Sequence, residues 1–276
     1  MQEKILITGA KGQLGMALAK LLPQAVLTDT DMLDITNYNK VQSFIKNNQI
    51  TTIINCAAFT AVDKAEDEKE KAYSVNVIGS ENLAKTGCKL IHISTDYVFD
   101  GKMYRPYTPE DKTNPLSIYG KTKRQGEEVV LKYAHNAIVI RTAWLYSSHG
   151  QNFVKTMCRL GQERETVNVV SDQIGTPTYA GDLAQAIVDI LPQMTTENKG
   201  IYHYTNEGVC SWYDFAREIM ILSALNCQVK PILSVDYPTR AIRPFYSVLD
   251  KTKIKNTFHL TIPHWKESLI QCLKQF

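Results

Sequence analysis

The chain has 276 residues, 44% apolar and 21% charged, the balance of a folded globular protein with one large α/β domain or a main domain and a smaller lobe. Its net charge is +3 with both signs interspersed, so no basic tract marks a nucleic-acid or membrane-surface partner, and no apolar run reaches the ~18–20 residues that span a bilayer. The six cysteines (Cys56, Cys88, Cys158, Cys210, Cys227 and Cys272) include no Cys-x-x-Cys, which argues against zinc and against a disulfide framework and fits free thiols in a reducing cytosol.

Met-Gln-Glu-Lys runs directly into the first predicted strand with no signal-peptide pattern, so the expectation is a soluble cytoplasmic protein. Lys4–Thr8 is a short apolar run of the kind that fills a buried parallel strand. Gly9, Gly12 and Gly15 follow as Gly-x-x-Gly-x-x-Gly, and Met16–Leu22 reads as a helix stopped near Pro23. Strand, glycine turn and helix together allow a backbone to approach a pyrophosphate at the helix N-terminus. Ala25–Thr28 is the second predicted strand. Asp29 comes directly after it, placed to accept hydrogen bonds from an adenine ribose, with Asp31 competing for the role.

Asn37–Asn48 reads as a helix and Thr52–Asn55 as the third strand, followed by the small residues Cys56-Ala57-Ala58 that leave room for a cofactor at a strand end. A charged helix opens at Ala61 and is expected to run to Leu83, with Gly87 as its stop. Asn76 within it reads equally as a buried orienting group or as an ordinary polar position. Lys89–Ser94 is the fourth strand, with His92 in mid-strand as a core residue and Thr95-Asp96 at the carboxyl end, where such folds bind ligands. A Pro-rich, charged loop over 101–115 leads to Tyr119-Gly120-Lys121-Thr122-Lys123 at the start of a helix. Residues four apart share a helix face, so the Tyr119 phenol and the Lys123 ammonium point into one space, and the ammonium is expected to lower the phenol's pKa.

Ala137–Arg141 is the fifth strand, with Trp144 beyond its end either stacking on a flat ligand ring or packing in the core. Phe153–Glu163 reads as a helix, Thr166–Val170 as a sixth strand, residues 181–191 as a helix, Ile201–Tyr204 as a short strand, Ser211–Ser223 as a capped helix, Val229–Val235 as a strand and 263–275 as a closing helix. The fold expected is a Rossmann-like doubly wound α/β parallel sheet with a smaller C-terminal substrate-binding lobe. Residues 1–145 and 164–192 are assigned to the dinucleotide-binding part, with 229–238 returning to it. Residues 146–163 and 193–276 are assigned mainly to the lobe.

Glycine turn, Thr95 and the Tyr119/Lys123 pair all open onto the carboxyl edge of such a sheet and suit hydride transfer to a carbonyl, with Tyr119 as proton donor, Lys123 tuning it and Thr95 polarising the carbonyl. On these residues the chain resembles the extended short-chain dehydrogenase/reductases. It is similar within them to the dTDP-4-dehydrorhamnose reductase family through Thr8–Gly15, Thr60–Glu66, Ser94–Gly101, Tyr119–Lys123, Arg141–Tyr146, Asp172–Thr178 and Arg243–Asp250.

The resemblance implies Thr95, Tyr119 and Lys123 as the catalytic trio. It implies Gly9, Gly12, Gln13, Leu14, Gly15, Asp29, Asp34, Ile35, Ala58, Phe59, Thr60 and Ile93, with Tyr119 and Lys123, along the path of NADPH or NADH. Val62, Thr95, Asp96 and Trp144 are the implied contacts of a dTDP-sugar, and the implied reaction is reduction of a 4-ketone. Tyr97 stands where related dehydratases carry a Glu, which favours simple reduction. Some relatives form homodimers bridged by Mg²⁺ through glutamates, one of them early in the helix after the glycine turn. Met16-Ala17-Leu18 has no carboxylate there, so any homodimer of this chain is expected without that metal. Two alternatives stay open: a reductase of another nucleotide-linked 4-ketosugar, and a non-catalytic cofactor-binding regulatory subunit on the same scaffold. Asp29 argues for NADH, whereas Lys11 in the glycine turn is placed to meet a 2′-phosphate.

Overall fold

A computed structural model describes residues 3–276. In chain order the elements are β1 (Ile5–Thr8), α1 (Gln13–Leu21), β2 (Val26–Thr28), α2 (Tyr38–Asn48), β3 (Thr52–Asn55), α3 (Val62–Ala65), α4 (Lys69–Tyr73), α5 (Ser80–Ala84), β4 (Lys89–Thr95), α6 (Ile118–Tyr133), β5 (Ala137–Thr142), β6 (Leu145–Tyr146), α7 (Phe153–Glu163), β7 (Thr166–Val170), β8 (Ile174–Gly175), β9 (Thr178–Tyr179), α8 (Ala180–Ile190), β10 (Gly200–His203), β11 (Cys210–Ser211), α9 (Trp212–Leu222), β12 (Gln228–Ile232), α10 (Thr252–Phe258) and α11 (Trp265–Leu273). Six of the strands form one parallel sheet in the order β10-β5-β4-β3-β1-β2. The order reverses between β1 and β3, and that switch point is where a doubly wound sheet opens a crevice at its carboxyl edge.

Successive strand residues face opposite sides of a sheet, and the central strands are buried on both faces because both sides are covered. Ile7, Ile54, Ile91 and Ile138 pack beneath α1, α8 and α10. Their neighbours Leu6, Ile53, Leu90 and Val139 pack beneath α2, α5 and α6. A separate core of Val154, Met157, Val167, Val169, Phe215, Ile219, Trp265 and Leu269 joins α7, β7, α9 and α11 into a lobe.

Several expectations need correction. Thr166–Val170 is a strand, but it pairs in parallel with β12, away from the main sheet. The sixth strand of the main sheet is β10, next to β5. Segment 164–192 is therefore divided, with β7 in the lobe and α8 packed on the sheet, and 229–238 does not return to the sheet. Within 193–276, β10 and α10 belong to the sheet's packing. The physical cause is burial. Along β7 only Val167 and Val169 are buried and their neighbours Thr166 and Asn168 are exposed, the pattern of a strand covered on one face.

The helix expected over 61–83 is interrupted into α3, α4, a π-helical turn at Ser74–Gly79 and α5. Pro263 precedes α11, whose cap is His264. No described helix is long and apolar enough to cross a membrane.

Candidate active site

A cleft of ≈ 790 Å³ runs along the carboxyl ends of the sheet strands, and every residue expected at the site lines it. Asp29, Asp34 and Ile35 lie beyond β2. Gly9 to Gly15 lie beyond β1, and Ala58-Phe59-Thr60 beyond β3. Ile93 and Thr95 come from β4, Tyr119 and Lys123 from α6, and Val62, Asp96 and Trp144 complete the far end.

The turn after β1 depends on small residues. Gly9 has φ +65°, and a Cβ there would stand 2.7 Å from the Ala57 backbone nitrogen. Only glycine accepts both constraints. Gly12 caps α1 without a side chain, and the N–H groups of Gln13 and Leu14 have no partner among the described residues. Free N–H groups at a helix N-terminus attract an anion, so this turn fits the pyrophosphate of a dinucleotide. The Gln13 side chain is committed elsewhere, accepting from Ser147 Oγ at 3.1 Å and from Asn152 Nδ2 at 2.9 Å, which leaves its backbone for that role.

A buried polar chain fixes the strand ends beneath the cleft. Thr8 Oγ1 donates to Asn55 Oδ1 at 2.7 Å, Ala57 N donates to the same oxygen at 3.1 Å, and Asn55 Nδ2 lies 3.0 Å from His92 Nδ1. Burial holds the His92 imidazole well below its usual pKa, so it is a neutral core group and not a base. Asn76, left open by the sequence, is an orienting residue. It accepts from Phe59 N at 2.8 Å and donates to Thr122 Oγ1 at 3.0 Å, clamping the segment after β3 to α6. It does this from the π-helical turn, a local widening that often accompanies functional sites.

Ser117 caps α6 by accepting from Gly120 N at 3.1 Å, which sets Tyr119 in the first turn and Lys123 one turn later. Any Cβ at Gly120 would collide with the Tyr97 carbonyl, so this glycine lets α6 pack directly on the segment after β4. The rings of Tyr97 and Tyr119 meet edge to face at 5.6 Å.

The electrostatics differ from expectation. Burial pushes the Tyr119 phenol up to about 12, with the Thr95 hydroxyl pulling the other way. Lys123 does not offset that burial, because its ammonium donates to the Ile93 carbonyl at 2.6 Å and is itself brought down to about 8 by desolvation, with Glu127 holding it up. A phenol with a raised pKa keeps its proton at neutral pH, which is the form needed to protonate an alkoxide.

Thr95 ends β4 and donates to Asp96 Oδ1 at 3.0 Å, whereas Asp96 Oδ2 has no partner although the residue is only 2% exposed. Burial raises this carboxyl to about 6. Trp144 has φ +49°, a strained conformation for a tryptophan, and one ring face lies against Trp212 at 3.7 Å. The packing reading of Trp144 therefore holds for that face, and the side chain also lines the cleft.

Sequence reasoning missed Glu127 and Arg141. Both are buried and joined by two hydrogen bonds at 2.8 and 2.7 Å, and Ser94 also donates to Glu127. The one signal available was spacing, since Glu127 falls one helical turn after Lys123 on the same face.

The chain is similar over nearly its whole length to known proteins. The dTDP-4-dehydrorhamnose reductase of Aggregatibacter actinomycetemcomitans is 43% identical, covering 96% of this chain and 97% of its own. A dTDP-4-dehydrorhamnose reductase from Clostridium acetobutylicum, known from its crystal structure, superposes with a TM-score of 0.94 at 43% identity over 98% of both chains. The Bacillus anthracis dTDP-4-dehydrorhamnose reductase, solved in complex with NADP, superposes with a TM-score of 0.95 at 39% identity over 100% of both chains. Residues 3–276 match the family described as RmlD substrate binding domain, and the chain belongs to that family.

Proposed function

We propose that the chain reduces the C4 ketone of dTDP-4-dehydro-L-rhamnose to dTDP-L-rhamnose, with NADPH or NADH as hydride donor. The observation that carries this reading is that Thr95, Tyr119 and Lys123 meet in the same cleft as an uncapped glycine-turn helix N-terminus. Binding without chemistry has no use for that trio. The nicotinamide supplies the hydride when bound.

The chain's own residues do the rest. The N–H groups of Gln13 and Leu14 hold the pyrophosphate, and Asp29 receives the adenosine ribose. Gly9, Gly12 and Gly15 let the dinucleotide approach the backbone, while Asp34, Ile35, Ala58, Phe59, Thr60 and Ile93 wall its path. Thr95 Oγ1 turns its one proton from Asp96 Oδ1 to the ketone oxygen and stabilises charge developing there. Tyr119 passes its proton to the same oxygen as it becomes an alkoxide, and solvent restores the phenol afterwards. Lys123, which lines the cleft, would hold the nicotinamide ribose. Val62, Asp96 and Trp144 hold the sugar nucleotide, which the lobe of α7, β7, α9 and α11 covers.

Turnover of purified protein with dTDP-4-dehydro-L-rhamnose, followed by NAD(P)H consumption and by NMR of the product, tests the proposal. Cofactor consumption with formation of dTDP-L-rhamnose supports it. An unconsumed cofactor, or faster reduction of a different nucleotide-linked 4-ketosugar, overturns the assignment of substrate.

A further inference from the structure

The end of the cleft beyond β2 carries an arrangement that the reaction does not require. Ala10 N donates to Thr28 O at 3.0 Å and Lys11 N donates to Asp29 Oδ2 at 3.1 Å, while Thr30 N donates to Asp29 Oδ1 at 2.8 Å. Both Asp29 oxygens are thus engaged by backbone, and the origin of the Lys11 side chain is pinned beside them. The Lys11 ammonium then reaches Asp31 Oδ2 at 2.7 Å. Each partner keeps the other charged: Asp31 raises the lysine's pKa and Lys11 lowers that of the aspartate.

Among the described residues that line the cleft, the cations are Lys11, Lys71 and Lys123. Lys123 is buried at the catalytic end and Lys71 lies over the Phe59 ring at 5.7 Å. Lys11 is therefore the cation available at the adenosine end. A 2′-phosphate, which alone distinguishes NADP(H) from NAD(H), brings close to two negative charges to the ribose and needs such a cation. Here it meets two carboxylates and a lysine already paired with one of them.

We propose that Asp31 is a specificity-determining residue: it holds Lys11 as an internal counterion in competition with the 2′-phosphate, so that the phosphorylated cofactor gains no affinity over the unphosphorylated one. The inference rests on the placement of the adenosine ribose beside Asp29 given under the proposed function. Binding of NADPH exchanges one partner of Lys11 for another and leaves Asp31 facing a like charge. Binding of NADH leaves the Lys11–Asp31 pair intact. An exposed ion pair is weak, so the exchange biases the choice without forbidding either cofactor.

The test is the dissociation constant of each cofactor, read from fluorescence of the reduced nicotinamide. Adenosine 2′,5′-bisphosphate and 5′-AMP serve as competitors that differ only in the 2′-phosphate. Both side chains are more than half exposed, so substitution leaves the fold intact. Asp31→Asn is expected to tighten NADPH and the bisphosphate by about three- to tenfold while NADH and AMP change by less than about twofold. The gain should shrink as salt is raised, and it should be clearly smaller when Asp31→Asn is made on a Lys11→Met background, where only the like-charge repulsion is relieved. An NADPH-to-NADH ratio that stays fixed in Asp31→Asn, or a shift of undiminished size without Lys11, overturns the inference while leaving the reductase reading standing. Failure of the wild-type protein to bind either cofactor would instead remove the reductase reading itself.

Discussion

The Lys123 ammonium donates to the backbone carbonyl of Ile93 at 2.6 Å, two residues before Thr95 in the same strand. The lysine is thus anchored to the strand that delivers the hydroxyl at the catalytic end. Its charge is costly there, since burial brings its pKa to about 8. Reduction is expected to lose kcat/KM as pH rises through about 8, where the ammonium is lost. Stability moves the other way. The folded state releases this proton before the unfolded chain does, so between about 8 and the ordinary 10.5 the lysine's cost to the fold fades with rising pH. The melting temperature of Lys123→Met should therefore exceed that of wild type by most near neutral pH, and the gap should narrow above about 8 and close only above 10.5. A gap that widens with pH would refute the assignment of a depressed lysine.

Tyr119→Phe removes the proposed proton donor and little else, because the ring still meets Tyr97 edge to face. Its kcat is expected to fall by about 10²–10⁴ while the NAD(P)H dissociation constant stays near wild type. Steady-state rates with a parallel fluorescence titration check both. Full activity in Tyr119→Phe would exclude the phenol as acid.

Asp96 presents the opposite linkage. Its folded pKa of about 6 lies above the ordinary 3.8, so the native state holds the proton more tightly than the unfolded chain. The carboxylate therefore costs stability above about pH 6, and the cost disappears as pH falls below 3.8. Asp96→Asn is expected to raise stability by about 2–3 kcal/mol at pH 7.5, from a shift of roughly two units, and to weaken sugar-nucleotide binding. Denaturant unfolding at pH 7.5 and at pH 4 measures the first effect. Equal stabilisation at both values would show that charge is not its source.

Glu127 and Arg141 are each 2% exposed, so removing either leaves a buried charge without its partner. Glu127→Ala should cost about 3–5 kcal/mol, far more than loss of any surface pair in this chain. Thermal or urea unfolding at pH 7 provides the measurement, with the exposed Arg159–Glu163 pair as a comparison site.

The sheet was readable wherever strands are buried on both faces. Lys4–Thr8, Thr52–Asn55, Lys89–Ser94 and Ala137–Arg141 each carry adjacent apolar residues at their centre, and each lies in the main sheet. The reading failed at β10. Its Gly-Ile-Tyr-His carries less apolar signal than the Thr-Val-Asn-Val-Val of β7, yet it is β10 that lies against β5. Local pattern reports burial and not which strand is the neighbour. The π-helical turn within the 61–83 segment was hidden for a related reason, since it carries Asn76, whose bond to Phe59 spans 17 residues. Residues of the candidate site were legible because glycine spacing and the Tyr119/Lys123 pair are local. The charge states were not, because burial is the largest cause of both the Tyr119 and the Lys123 shift, and burial belongs to the whole fold.

The chain passes repeatedly between the sheet's packing and the lobe. It enters the lobe at α7 and β7, returns for α8 and β10, enters again for α9 and β12, goes back for α10 and ends in the lobe with α11. A body tied by five separate strands of backbone is not a module. It cannot be grafted onto a relative as one insert, and a protease nick in any one connection leaves the fragments held by the other four. Exchange of substrate range by recombination would have to carry three interleaved segments together.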